Sequence, residues 1–101
     1  MKVVYAERAR RDIGDIYDAI SKQSLDAAQR VEDFICAACD GHTDFPYATA
    51  ATDELNVRRL PLVRYPYTIF YRIRTDVECI EIARVIHGAR IKDLGALPED
   101  E

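Results

Sequence analysis

The chain has 101 residues, of which 49% are hydrophobic and 32% charged, and its formal net charge is −4. This length and balance indicate one globular domain with a modest core, and the negative charge argues against unspecific nucleic-acid binding by the whole surface. No apolar run approaches the roughly 20 residues of a membrane span, and the charged N-terminus has no signal-peptide core, so we expect a cytoplasmic protein without membrane contact.

The first element is predicted to be a short strand, KVVYA at 2–6. From Arg8 the apolar period becomes helical, with one face formed by Ala9, Ile13, Ile16, Tyr17 and Ile20. The other faces carry polar side chains, namely Arg10, Arg11, Asp12, Asp15 and Asp18. Gly14 weakens this helix by roughly 1 kcal/mol relative to alanine, and we expect its missing side chain to let a partner element approach closely.

A second helix is predicted after the break at SKQS (21–24), with Ser24 as its N-cap and Gly41 as its terminator. Its apolar positions are Leu25, Ala28, Val31, Ile35 and Ala38, with Phe34 beside them. Two helices joined by so short a turn form an antiparallel hairpin. Residues 42–56 have no clear period and are predicted to be a loop.

The three cysteines are Cys36, Cys39 and Cys79, an odd number that argues against a disulfide framework. Cys36 and Cys39 form a C-x-x-C, a spacing also found in redox pairs and half zinc sites. The helical period of the surrounding segment instead makes them small residues in or beside a helical core. A zinc site needs further ligands, and His42 and His87 are the only histidines, so we expect no metal and no cofactor.

From Val57 onwards the period becomes that of strands. VRRLPL (57–62) is a short strand stopped by Pro61, and Pro66 marks the entry to YTIFYRIR (67–74), where Tyr67, Ile69, Tyr71 and Ile73 share one face. After a turn at 75–76, VECIEIARVIH (77–87) returns as a long strand with Ile80, Ile82, Arg84 and Ile86 on one side. Its other side carries Cys79, Glu81, Ala83, Val85 and His87. Arg84 interrupts the isoleucine face, so either a bulge turns it outward or it points into a cleft.

The predicted fold class is α+β in the order β-α-α-β-β-β. The helical hairpin covers one face of a small, mostly antiparallel sheet, which the first strand joins at an edge or beside the last strand. Residues 1–90 form the single domain, and residues 91–101 form an acidic C-terminal tail.

The charge is distributed unevenly along the chain. Residues 1–56 carry six basic and eleven acidic side chains, residues 57–90 carry seven arginines and three acidic side chains, and residues 91–101 carry one lysine and four acidic side chains. The middle section is therefore locally basic. All its cations are arginines, which make planar, bidentate and stacking contacts that lysine cannot make.

The C-terminal half resembles a known family. VRRLPLVRYPYTIFYRI (57–73) followed by VECIEIARVIHGAR (77–90) is similar to the second half of RelE/ParE toxins of bacterial type II toxin–antitoxin systems. The start also resembles them, since a strand precedes ERARRDIGDIYDAI (7–20), and family members carry an R-A and then a helix with an aromatic residue near its end. The most telling piece is RVIHGAR (84–90), whose ending is more like the ParE branch.

The resemblance implies a small toxin that a cognate antitoxin neutralises. RelE-like members cut mRNA on the ribosome, whereas ParE-like members poison DNA gyrase, and the shared fold does not choose between them. If the protein is a nuclease, the candidate catalytic residues are Arg58, Arg64, Arg84 and His87. The fit is poor, because we expect none of the lysines, Lys2, Lys22 and Lys92, in the sheet, and no tyrosine follows His87. A non-enzymatic gyrase inhibitor is therefore favoured over an mRNA endonuclease, and a non-toxic, antitoxin-binding operon regulator is a further alternative.

The resemblance also suggests which surfaces matter. We expect Arg84, His87 and Arg90 on the toxic surface, and Ile13, Tyr17, Arg58 and Arg72 in contact with an amphipathic helix and an extended segment of the antitoxin. An acidic antitoxin segment would be attracted to the basic middle section, so charge reversal at Arg58 and Arg72 is expected to weaken the complex. Direct operator DNA binding by this chain is not expected.

Overall fold

The computed structural model describes residues 2–41, 50–51, 57–62 and 64–88. Its elements are β1 (Lys2–Tyr5), α1 (Glu7–Ser21), α2 (Leu25–Asp40), β2 (Ala50–Ala51), β3 (Val57–Pro61), β4 (Tyr67–Arg74) and β5 (Cys79–His87). This is the predicted order with one addition, because β2 lies within the stretch predicted to be a loop. A strand of two residues has no period to detect, and so the sequence does not indicate it.

The five strands form one sheet in the order β1-β5-β4-β3-β2. β1 pairs parallel with β5, from Lys2 opposite Cys79 to Tyr5 opposite Ile82, and the other three pairings are antiparallel. The first strand thus lies at an edge and beside the last strand. Lys2 belongs to it, so the expectation that no lysine lies in the sheet is wrong. An exposed lysine on an edge strand discourages pairing with other chains.

Helix α1 buries Ala9, Asp12 and Ile13 against the rest of the protein. The prediction that Asp12 lies on one of the other faces, away from the apolar face of α1, is therefore wrong. Gly14 is exposed, and a Cβ atom placed on it would meet no atom within 4 Å. No element described in the structure approaches closely at Gly14, contrary to our expectation.

Helix α2 begins as predicted, because the Ser24 hydroxyl accepts a hydrogen bond from the Ala27 N–H at 3.1 Å. It ends at Asp40, and Gly41 follows as its C-cap, but with φ of −66°, a right-handed conformation that any residue adopts. Leu25 is 67% exposed and does not join the apolar face. The side chains that α2 buries are Ala28, Val31, Ile35 and Cys39.

The main core lies between the helical hairpin and the sheet. Its buried members are Ala9, Ile13, Val31, Ile35, Cys39, Ile69, Tyr71, Ile80, Ile82 and Val85. A second, smaller cluster joins Val57 of β3, Phe70 of β4 and Ile86 of β5. Because Phe70 alternates with Ile69 and Tyr71, this second cluster lies on the sheet face opposite the helices.

A β-bulge separates the two halves of β5. Phe70 pairs with Arg84 and Tyr71 pairs with Ile82, so Ala83 is an extra residue. The bulge shifts the alternation, which puts Val85 in the main core and Ile86 in the second cluster. The prediction that Ile80, Ile82, Arg84 and Ile86 share one face is therefore wrong beyond Ile82.

Candidate functional site

Arg84 and Asp12 form an ion pair where α1 crosses the end of β5. Arg84 Nε donates to Asp12 Oδ2 at 2.8 Å, and Arg84 Nη2 donates to Asp12 Oδ1 at 3.2 Å. The Val85 N–H also donates to Asp12 Oδ2 at 3.0 Å. Arg8, one turn before Asp12, places its Nε 3.5 Å from Oδ1. One carboxylate therefore holds two guanidinium groups and one backbone amide.

The Arg84–Asp12 pair is nearly enclosed, since the exposed fractions of these two side chains are 15% and 9%, whereas the Arg8 side chain is 41% exposed. Charge-assisted, two-point hydrogen bonds of this kind are strong, and removing one partner would leave a buried charge uncompensated. The carboxylate also neutralises the Arg84 charge. Arg84 is thus oriented toward α1 rather than toward solvent.

Asp12 was missed at the sequence level, although two signals pointed to it. An arginine on an apolar strand face requires a facing counter-charge. Asp12 lies three residues after Ala9 and four before Ile16, both of which contribute to the buried side of α1. By helical period it belongs to that face.

His87 closes β5 beside the start of β4. Its ring meets that of Tyr67 edge to face, with centroids 5.5 Å apart. The Gly88 N–H donates to the Pro66 carbonyl at 2.6 Å, which joins the chain after β5 to the entry of β4. His87 is exposed. Arg90, the third residue predicted for the toxic surface, lies outside the described residues.

Arg64 and its neighbours form a second aromatic group before β4. The guanidinium of Arg64 lies 5.6 Å from the centroid of the Tyr65 ring, and Tyr65 meets Phe34 of α2 edge to face at 5.2 Å. The cation–π contact orients an exposed arginine while leaving its charge in solvent. Arg64 is therefore available to an anionic partner.

The four residues proposed for nuclease chemistry have separate surroundings. Arg58 lies on β3 opposite Tyr71, and β4 separates it from Arg84 on β5. Arg64 contacts Tyr65, Arg84 contacts Asp12, and His87 contacts Tyr67. Their catalytic role stays a prediction.

The residues predicted to bind an antitoxin differ in accessibility. Ile13 is 8% exposed and belongs to the main core, whereas Tyr17 on α1 and Arg58 on β3 are half-buried. Arg72 is 7% exposed and forms an ion pair with Glu81 across β4 and β5, with 3.5 Å between Nη1 and Oε1. Their role also stays a prediction, but Ile13 and Arg72 do not present open surface.

The C-x-x-C lies on α2, where Cys39 is buried in the main core and Cys36 is half-buried, and Tyr5 of β1 packs against the same core. Burial raises the pKa of Cys39 to about 12 and raises the pKa of Cys36 as well, and the nearby Tyr5 hydroxyl partly offsets both effects. High pKa values keep both thiols protonated and poorly nucleophilic at neutral pH.

Two other features concern metals and membranes. Among the residues that the structure describes, no three His, Cys, Asp or Glu side chains are grouped as metal ligands would be. Neither described helix is long and apolar enough to cross a membrane.

Comparison with known proteins gives a consistent result. Residues 3–92 match the family model described as the ParE toxin of the type II toxin–antitoxin system parDE. A protein of Sinorhizobium fredii named "Putative toxin Y4kP" is 33% identical over 81 residues, which covers 80% of this chain and 84% of that protein.

Solved structures of toxin–antitoxin systems are among those that share the fold. A chain of the chromosomal ParDE toxin–antitoxin system from P. aeruginosa superposes with a TM-score of 0.76 and 21% identity, covering 86% of this chain and 95% of that one. A chain of the toxin–antitoxin complex RelBE2 from Mycobacterium tuberculosis gives a TM-score of 0.61 and 18% identity, covering 85% and 95%.

Proposed function

The chain belongs to the ParE toxin family of type II toxin–antitoxin systems, and from this premise we propose that it stops bacterial growth by poisoning DNA gyrase in the cytoplasm. We also propose that a cognate antitoxin neutralises it. In this mechanism the toxin is not an enzyme. It binds gyrase and traps it on cleaved DNA, as its resemblance to the ParE branch implies.

The ion pair between Arg84 and Asp12 is the observation that favours gyrase over mRNA as the target. An RNA-cleaving toxin needs a cation that can stabilise the developing charge on the scissile phosphate. Arg84 is a candidate for that task, but its Nε and its Nη2 both donate hydrogen bonds to Asp12. Recruiting Arg84 for a phosphate would break a buried ion pair, which typically costs about 3–5 kcal/mol. This cost counts against Arg84 as the phosphate-binding cation, and in this respect it supports a binding toxin rather than a nuclease.

The proposal is tested by inducing the full chain in bacteria without an antitoxin. We expect a DNA-damage response and filamentation while labelled amino acids are still incorporated into protein. An early stop of protein synthesis with cut transcripts would instead support the mRNA endonuclease. Harmless expression would support the antitoxin-binding regulator.

An assay with purified proteins tests whether gyrase itself is the target, apart from the effects on growing cells. The full chain should inhibit supercoiling by gyrase and increase the fraction of cleaved plasmid, whereas a type I topoisomerase serves as the control enzyme. Adding the antitoxin should reverse the inhibition. Normal supercoiling at a saturating toxin concentration would contradict the gyrase proposal.

A further inference from the structure

The end of β5 lacks the strand that supports its beginning. β1 pairs with β5 only as far as Tyr5 opposite Ile82, and the Ala6 N–H donates the next hydrogen bond to the Ile82 carbonyl at 2.9 Å. The chain then leaves the sheet to form α1. Beyond the bulge at Ala83, the β5 edge that faced β1 is therefore bordered by α1.

Asp12 provides the hydrogen-bond acceptor that β1 does not provide beyond Ile82. Its Oδ2 accepts the Val85 N–H at 3.0 Å, a bond that a neighbouring strand carbonyl would otherwise accept. The same carboxylate receives Arg84 in two-point contact at 2.8 and 3.2 Å. Both side chains are largely enclosed, so water competes weakly for these contacts.

We propose that Asp12 is a positioning residue, which holds the end of β5 in place and thereby orients the exposed His87, part of the predicted toxic surface, toward the target. This inference rests on the proposed function, because it takes that surface to be the one that the toxin uses. Arg84 acts here as an internal anchor. It aligns Asp12 for Val85 and does not contact the target.

The bulge explains why a helix residue can do this. The Ile82 carbonyl points to the edge of β5 that faces β1, and the extra residue Ala83 shifts the alternation by one, so that the Val85 N–H points to the same edge and reaches Asp12. Two residues further on, His87 meets Tyr67, and Gly88 bonds to Pro66. Asp12 holds the last residues of β5 from the α1 side and β4 holds them from the other, so without the Asp12 contact the segment that carries His87 is held from the β4 side alone.

The first test measures amide hydrogen exchange by NMR on the full chain, made by cell-free synthesis. In Asp12→Ala, exchange at Val85 should become about tenfold faster, while Ile80, which lies in the part of β5 paired with β1, should change less. Asp12→Asn keeps an acceptor oxygen and should protect Val85 to an intermediate degree. Unchanged exchange at Val85 in Asp12→Ala would overturn the proposal.

The second test separates positioning from simple loss of stability. Val31→Ala on α2 removes buried side-chain atoms away from β5 and serves as the control for reduced stability. At equal levels of folded protein, Asp12→Ala should arrest growth much less than Val31→Ala does. Equal losses of growth arrest at equal melting temperatures would make Asp12 merely structural and would overturn the inference.

A charge swap distinguishes the two contacts of Asp12. In the double variant Asp12→Arg, Arg84→Asp the ion pair can form again, but arginine has no acceptor for the Val85 N–H. Exchange at Val85 should stay fast and growth arrest should stay weak; full recovery of both would contradict the role of the amide contact. If the unmodified chain fails to arrest growth, the proposed function fails and the link to His87 fails with it, while the exchange data still decide whether Asp12 holds β5.

Discussion

Single arginines in the basic section have different roles that depend on burial. Arg84 and Arg72 are enclosed and paired with Asp12 and Glu81, whereas Arg59 and Arg64 are exposed. An enclosed guanidinium opposite a carboxylate holds elements together, and removing its partner leaves a buried charge. An exposed guanidinium contributes little to stability and is free to meet a partner.

Gly14 offers a direct test at the residue scale. It is exposed, and a Cβ atom would meet no neighbour within 4 Å. Gly14→Ala should therefore raise the free energy of unfolding by about 1 kcal/mol, because alanine restricts the unfolded chain and favours the helix. Urea denaturation measures this change. A destabilised variant would show that Gly14 has a packing role after all.

Cys39 should make stability fall at alkaline pH. The pKa of its thiol is about 12 in the folded chain, against 9.0 for the unperturbed group. Between these values the unfolded chain has lost a proton that the folded chain still holds. The resulting stabilisation is complete below pH 9 and is lost as the pH rises toward 12, by at most about 1.4 kcal/mol per pH unit.

Urea denaturation at several pH values between 7 and 11 tests this expectation. It gives the slope of the free energy of unfolding against pH, which is compared among three proteins. Cys39→Ala should lose less stability per pH unit than the unmodified chain. Val31→Ala, which also shortens a buried side chain on α2, should keep the original slope. Identical slopes in all three proteins would contradict a proton held by Cys39.

Among the secondary-structure elements, the helical hairpin depends on the N-cap of α2, which the sequence predicts. Ser24 caps α2 through the Ala27 N–H, whereas the nearby Ser21 hydroxyl donates to the Asp18 carbonyl at 2.9 Å on an exposed part of α1. Ser24→Ala should lower the free energy of unfolding by about 1 kcal/mol. Ser21→Ala is the matched control and should change it by less than about 0.5 kcal/mol. Equal effects would mean that the cap contributes nothing specific.

The side-chain faces predicted by alternation are correct for β4 but only in part for β5. The alternation in β4 predicts its faces correctly, since Ile69 and Tyr71 enter the main core and Phe70 enters the opposite cluster. In β5 the same reasoning holds up to Ile82 and then fails. An inserted residue such as Ala83 shifts the period by one. Arg84 on the isoleucine face indicated a bulge as one of two explanations, but the local composition does not mark which residue is inserted.

At the scale of the whole molecule, the charge distribution bears on the proposed antitoxin complex. Reversing Arg58 and Arg72 is a poor test, because Arg72 is 7% exposed and faces Glu81, so reversal would oppose two carboxylates inside the fold. The exposed pair Arg59 and Arg64 is suitable. Converting both to glutamate should slow antitoxin association about tenfold at low salt and flatten its salt dependence.

The matched control reverses Arg10 and Arg11, which are also exposed but lie on α1 outside the basic middle section. The total charge changes equally in both variants, so a difference between them reports where the antitoxin docks. Stopped-flow association at two salt concentrations provides the measurement. Equal slowing in both variants would indicate a response to net charge only.

The amino-acid sequence was enough to predict the order of the two helices and the four longer strands, the Ser24 cap, the apolar face of α2 from Ala28 onwards and the local basic charge, because each of these depends on residues close together in the chain. The burial of Arg72, the choice of a bulge and its position at Ala83, and the pairing of Arg84 with Asp12, 72 positions away, became known only from the folded chain. Those features depend on strand register and on how a helix crosses a sheet edge. Side chains distant in sequence meet only when both are set, and no local period encodes that meeting.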